Sequence, residues 1–193
     1  MKVGNIWKAE EWSQSATAST VDAESYQFTS TPSNNYERRE RRDREALMND
    51  LKDDPTIAYL WFTDYSKDNV DAVVQTVSGT LGSVEIKGIE GNYEKDTCND
   101  GTPRYSISTL YEDLKKVAQE RLYREKGMFP IYVRYYFKDR KRISFKLNKI
   151  DWAKDATYED SFYCTKNSME DREKKTKKKV WLLNNNKGTL KQF

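Results

Sequence analysis

The sequence contains no histidine and only two cysteines, Cys98 and Cys164. Without histidine, a His-based nucleophilic triad, an HExxH zinc site and a histidine general base are all excluded. Two cysteines far apart in sequence cannot build a zinc site alone, and free thiols in a reducing compartment are the plain expectation for them. No apolar run approaches the length of a membrane span, and no apolar signal segment follows Met1-Lys2. The expectation is a soluble, cytoplasmic protein with no membrane partner. A surplus of one charge is also missing: 34 Lys and Arg stand against 31 Asp and Glu, for a net charge of +3. Such a balance does not by itself point to nucleic acid; only a local cluster would.

What is present is a chain of 193 residues, 36% hydrophobic and 34% charged, with thirteen tyrosines and five tryptophans carrying much of the apolar content. This suits one domain with a modest core and solvated appendages. Residues 1–35 read as an appendage. Trp7, Trp12, Tyr26 and Phe28 are its large apolar groups, separated by Ser, Thr, Ala and Asn. That composition predicts a disordered leader, or an extended arm that orders against a protein partner through those rings.

From Tyr36 to about Asp53 the pattern is helical, capped by Asn34 or Asn35, with Leu47 and Leu51 on a narrow apolar face. Its arginines alternate with Glu37, Glu40, Asp43 and Glu45, which predicts a solvated helix laced with ion pairs rather than a phosphate-binding one. Residues 57–63 form a strand apolar enough to be buried on both faces. A hairpin follows, Val70 to Val77 paired with Val84 to Gly88, and then a long polar loop from Ile89 to Ser106. Thr109-Leu110-Tyr111-Glu112 reads as a capping box. It would open a helix whose Leu110, Leu114, Val117, Ala118 and Leu122 face the sheet. Residues 131–137 and 143–147 form a second hairpin. The order helix, three strands, helix, two strands predicts an α/β (α+β) fold, a mixed central sheet flanked by helices, with the core over residues 36–163.

Residues 164–193 read as a basic C-terminal extension. Lys174, Lys175, Lys177, Lys178 and Lys179 precede Val180-Trp181-Leu182-Leu183. They predict either a solvated helix or a positive edge that tracks a phosphate backbone with Trp181 available for stacking.

The chemistry concentrates on the first hairpin. Side chains alternate along a strand, so Glu85 and Lys87 share a face, and Asp71 lies on the partner strand. Two carboxylates and a lysine so placed can hold a divalent metal and activate a water. Acid-x-Lys triplets also occur at Asp50-Leu51-Lys52, Asp113-Leu114-Lys115 and Glu173-Lys174-Lys175. Those three fall in helical or tail segments, where the first and third side chains diverge.

Asp71, the short hairpin and Glu85-Ile86-Lys87, set between a helix with acidic residues and a helix crossing to a fourth strand, resemble the PD-(D/E)xK nuclease superfamily. The resemblance spans about Tyr36 to Leu147, with Val70 where many members have proline. It implies a restriction-endonuclease-like core of phage or bacterial type. Asp71, Glu85 and the Ile86 carbonyl would hold magnesium, with manganese as a substitute. Lys87 would orient the attacking water, and Glu45, or else Glu40, would add a carboxylate. The implied activity is hydrolysis of DNA, in the host cytoplasm or a virion if phage-encoded. The alternative from another class is a catalytically silent scaffold of a phage particle or nucleoprotein assembly, and a third is nucleic-acid binding without cleavage. The scaffold reading expects carboxylates that do not converge, or a basic side chain filling the gap between them.

Overall fold

A computed structural model of the chain describes residues 1–28, 31–64, 70–91, 93, 96–97, 103–104, 108–165 and 175–193. Cys98 and Lys174 lie outside the described residues, as do the side chains of Cys164 and Lys175. The elements run β1 (Lys2–Ile6), β2 (Val21–Asp22), α1 (Asn35–Leu51), β3 (Ile57–Thr63), β4 (Ala72–Thr76) and β5 (Leu81–Ile89). They continue with β6 (Asp96–Thr97), β7 (Pro103–Arg104), β8 (Ser108–Glu112), α2 (Asp113–Lys126), β9 (Phe129–Tyr136) and β10 (Lys141–Lys146). The chain ends with β11 (Ala156–Thr165), β12 (Lys175–Asn184) and β13 (Thr189–Gln192).

Eight strands form one mixed sheet in the order β13-β10-β9-β5-β4-β3-β1-β2. β3, β4 and β5 are an antiparallel meander, and β9 returns parallel to β5 after α2. The expected α/β fold with a mixed sheet between helices is thus present. Alternation along the central strands explains how both faces are covered. Leu60, Phe62, Ala72, Val74, Val84 and Ile86 pack with Ala46 and Leu47 of α1. Trp61 and Val73 point the other way and pack with Leu122 of α2.

The two helices form for different reasons. Asn34 caps α1, its Oδ1 accepting from the Glu37 N–H, and the Glu37 carboxylate accepts from the Ser33 N–H in return. Arg41–Glu45 and Arg44–Glu40 are i,i+4 ion pairs, as the charge pattern predicted. α2 stops at Gly127, whose φ of 67° is the left-handed conformation that glycine takes without cost.

Three expectations are corrected. Residues 1–35 are not an arm hanging from the core: β1 lies parallel to β3, and Val3 is fully buried. Trp12 packs edge-on to Trp61, whose Nε1 donates to the Ala16 carbonyl. The segment looked too polar for a core because backbone pairing and small buried residues, Ala9 and Ala23, do the packing. Thr109 does not cap a helix; residues 108–112 are strand β8, and the Thr109 hydroxyl is buried against Asn185 Oδ1. α2 consequently turns a different face inward. Gln119 and Leu122 are buried, while Leu114 and Val117 are 70% and 56% exposed. Last, the described residues of the basic extension form mainly strands rather than a helix. β12 is the middle strand of a second sheet, β11-β12-β8, held by the buried Val180 and Leu183, and β13 edges the main sheet. Apolar β-branched and leucine residues after the lysines favour strand once β8 and β11 offer partners.

If residues 1–35 were disordered, a charge at Val3 would have no effect on stability. Burial beside Leu60 predicts instead that Val3→Asp lowers unfolding free energy by about 2 kcal/mol or more, read by urea denaturation.

Candidate active site

Asp71 stands just before β4, opposite Glu85, where the β4–β5 ladder gives out. Its backbone is fixed on both sides: the Asp71 N–H donates to the Val84 carbonyl, and its carbonyl accepts from the Thr63 N–H at 3.1 Å. Its side chain takes over where the ladder stops, Oδ2 accepting from the Ile86 N–H at 2.7 Å. The N–H and C=O of one strand residue share an edge of the strand, so the Ile86 carbonyl faces this same flank.

Directly opposed residues of an antiparallel pair share a face. Asp71 and Glu85 therefore converge on the α2 side of the sheet. Glu85 is only 8% exposed. Burial, and then the charge of the adjacent Asp71, push its carboxyl well above the ordinary carboxylate range, against the pull of Lys115. Lys115 Nζ pairs with Glu85 Oε1 at 3.0 Å. Burial draws that ammonium down, but Glu85 and Asp71 outweigh it and hold Lys115 above its usual range. Glu85 Oε2 is buried and receives no hydrogen bond from any described donor.

Lys115 arrives there because of one buried amide. Gln119, one turn further along α2, donates to the carbonyls of Ser83 on β5 and Ile131 on β9, and accepts from the Tyr111 hydroxyl. This pins the first turns of α2 over Glu85. α1 is pinned in a different way. Asp43 Oδ2 accepts from the Gly88 N–H at 2.7 Å, and any Cβ at Gly88 would collide with the Asp43 carboxylate. Asp43 is itself raised by burial, against its bond from Arg42.

The result is a cavity of about 590 Å³ between the N-terminal halves of the helices. Its floor is Glu85, Tyr132 and Arg134, and its mouth carries Tyr36, Arg42, Lys87 and Lys178. Seven basic and six acidic described side chains line it. The oxygens that could hold a hard cation on this flank are those of Asp71, Glu85 Oε2 and the Ile86 carbonyl. Among the described residues no three or more Asp, Glu or Cys side chains group as a metal cage.

The predicted site residues thus separate. Asp71, Glu85 and Ile86 come together, and Lys87 joins them at the rim, exposed, its charge acting on Asp43. Glu45 does not: it pairs with Arg41 and lines a different hollow with Tyr26 and Phe28. A helix turns about 100° per residue, so the α1 carboxylates that reach the cavity are Glu40 and Asp43. Of the basic run, Lys178 enters the cavity, paired with Glu112 at 2.7 Å, while Lys177 and Lys179 alternate to the opposite face of β12. Lys115 was missed although its triplet, Asp113-Leu114-Lys115, is visible in the sequence. The helical position that set it aside is what carries it over the sheet to Glu85.

Of the two features the scaffold reading expects, the first is absent and the second is met only in part. The carboxylates converge, and Lys115 occupies one flank of Glu85 through Oε1, leaving Oε2. Comparison with known proteins gives no further guide: no family model, no curated protein and no solved structure matches the chain.

Replacing Gln119 by leucine leaves two carbonyls and the Tyr111 hydroxyl without their partner in a dry interior. A loss of about 2–4 kcal/mol is expected, measured by chemical denaturation, with Gln119→Glu also destabilising.

Proposed function

We propose that this chain is a metal-dependent hydrolase of nucleic-acid phosphodiesters, most simply of DNA. One observation carries the reading: Asp71 and Lys115 gather at Glu85, whose Oε2 is buried without a bond from any described donor, in a cavity with cationic side chains at its mouth. Hydrolysis of a phosphodiester is limited by charge developing on phosphate oxygens, and such a site supplies groups that answer it.

The donor set fits magnesium. That ion binds through one or two carboxylates and keeps waters and phosphate oxygens as its remaining ligands, so a full protein cage is not required. Asp71, Glu85 and the Ile86 carbonyl would hold it, and glutamate Oε2 without a hydrogen bond is the oxygen left for it. Magnesium bound there would polarise a phosphoryl oxygen and acidify a water. The chain's own residues do the rest. The Ile86 N–H fixes the Asp71 carboxylate. Lys115 orients Glu85 through Oε1 and places an ammonium beside the reacting phosphate, the role the sequence assigned to Lys87. Lys87 and Arg42 at the mouth draw in the phosphodiester. Arg42 is held against the Phe137 ring at 3.8 Å and by ion pairs with Asp43 and Glu90.

A second reading has its own observation. Lys115 already gives Glu85 the positive partner that a buried carboxylate needs, so the pair can serve as part of a silent scaffold.

Cleavage of single- or double-stranded DNA or RNA with magnesium or manganese decides between them. The hydrolase reading expects Asp71→Asn, Glu85→Gln and Lys115→Met each to lower the rate by about 100-fold or more, with Lys87→Met lowering it less and circular dichroism unchanged. Manganese titration followed by electron paramagnetic resonance should show binding that Asp71→Asn removes. No cleavage of any substrate and no manganese binding would leave the scaffold.

A further inference from the structure

The candidate site lies deep and its charge is nearly balanced, and both facts bear on what strand form can reach it. Glu85 is at the cavity floor, so a reacting phosphate has to descend past the mouth. A volume of about 590 Å³ falls in the range that encloses one small ligand. A duplex is stiff, with a persistence length of about 50 nm, and holds each phosphate in line with its neighbours on the outside of a rod. It also carries one negative charge per ~1.7 Å and is bound best by a broad positive surface. This cavity, with its seven basic and six acidic side chains, is not one. A single strand bends sharply and can insert one nucleotide, but its unpaired base then needs an apolar face to rest on.

Tyr36 offers that face. It is 54% exposed, sits in the first turn of α1 and lines the same cavity. It lines that cavity together with Asp71, Glu85 and Lys115, and its hydroxyl lies within electrostatic reach of Glu40 and of these three. The turn that carries it is capped twice: Asn34 Oδ1 accepts from the Glu37 N–H, and the Glu37 carboxylate accepts from the Ser33 N–H and hydroxyl. Around the mouth stand Lys87, Arg42, which is paired with Asp43 and Glu90, and Lys178, which is paired with Glu112: cations for the few phosphates of a short single strand rather than for a duplex.

We infer that the cavity takes single-stranded nucleic acid, one nucleotide descending to the Asp71–Glu85 floor and the neighbouring base stacking on Tyr36. This rests on the hydrolase reading for the position of the reacting phosphate.

The test uses the full chain without divalent metal, so that nothing is cut, and fluorescence anisotropy of a labelled 12-nucleotide strand and of the blunt duplex of the same sequence. The single strand is expected to bind at least about tenfold more tightly. Tyr36→Ala should weaken single-strand binding about fivefold or more, Tyr36→Phe should not, and thermal unfolding should stay unchanged in both. Equal or tighter duplex binding, or single-strand binding indifferent to Tyr36→Ala, overturns the inference. Cleavage is assayed separately with magnesium. Preferential cutting of duplex keeps the hydrolase reading and sinks this one, whereas Tyr36-dependent single-strand binding with no cleavage of any substrate sinks the hydrolase reading alone.

Discussion

A carboxylate buried beside another carboxylate cannot be left to itself, and most of this molecule's local architecture answers that problem at Glu85. Removing an ionised group from water costs several kcal/mol even after relaxation, and the neighbouring Asp71 charge raises the cost further. Lys115 meets one oxygen of Glu85, and no described donor meets the other. A strand interior that serves packing alone would carry valine or isoleucine there, as Val84 and Ile86 do on the opposite face. A half-answered carboxyl in that place is a local conflict that packing does not account for, and the hydrolase proposal rests on it.

The supporting structure is rigid where the pair requires it. Asp71 is bound through its N–H, its carbonyl and its side chain, each to a different strand residue. α2 is registered on the sheet by the buried Gln119 amide, which spends its hydrogen-bonding capacity on β5, β9 and Tyr111. α1 is registered by Asp43 against the one backbone position, Gly88, that lets a carboxylate approach so closely. These polar anchors act together with the apolar contacts of Ala46 and Leu47 on α1 and Leu122 on α2. That matters because the cavity is the space left between the helices, and a small rotation of either would move Tyr36, Arg42 or Lys115 away from Glu85. The same anchors explain why Leu114 and Val117 face outward despite their spacing: Gln119 and Lys115 have claimed the inner face.

The central elements could be read from sequence because their signals are local. The apolar run at residues 57–63, the β-branched runs at 70–77 and 84–88, the Asn34 cap and the Gly127 stop each act within a few residues. Pairing Asp71 with Glu85 followed from the hairpin's pleat and register. Errors arose wherever a segment's state depended on a distant partner. Lys2–Ile6 becomes a strand because β3 has an open edge, and Lys175–Asn184 because β8 and β11 lie on either side. Thr109 sits in a motif that suits a helix cap, yet Asn185, 76 residues on, supplies a better partner for its hydroxyl.

The sequence by itself therefore determined the helix and strand order of the middle of the chain, the hairpin, and the face shared by Asp71, Glu85 and Lys87, since pleat and helical periodicity are properties of the nearest few residues. Tertiary structure alone decided which cation meets Glu85, that Glu40 and Asp43 rather than Glu45 look into the cavity, and that both termini belong to the sheets. Those outcomes depend on the angle at which two helices cross the sheet and on which strand edges stand open, and neither is written in any local stretch.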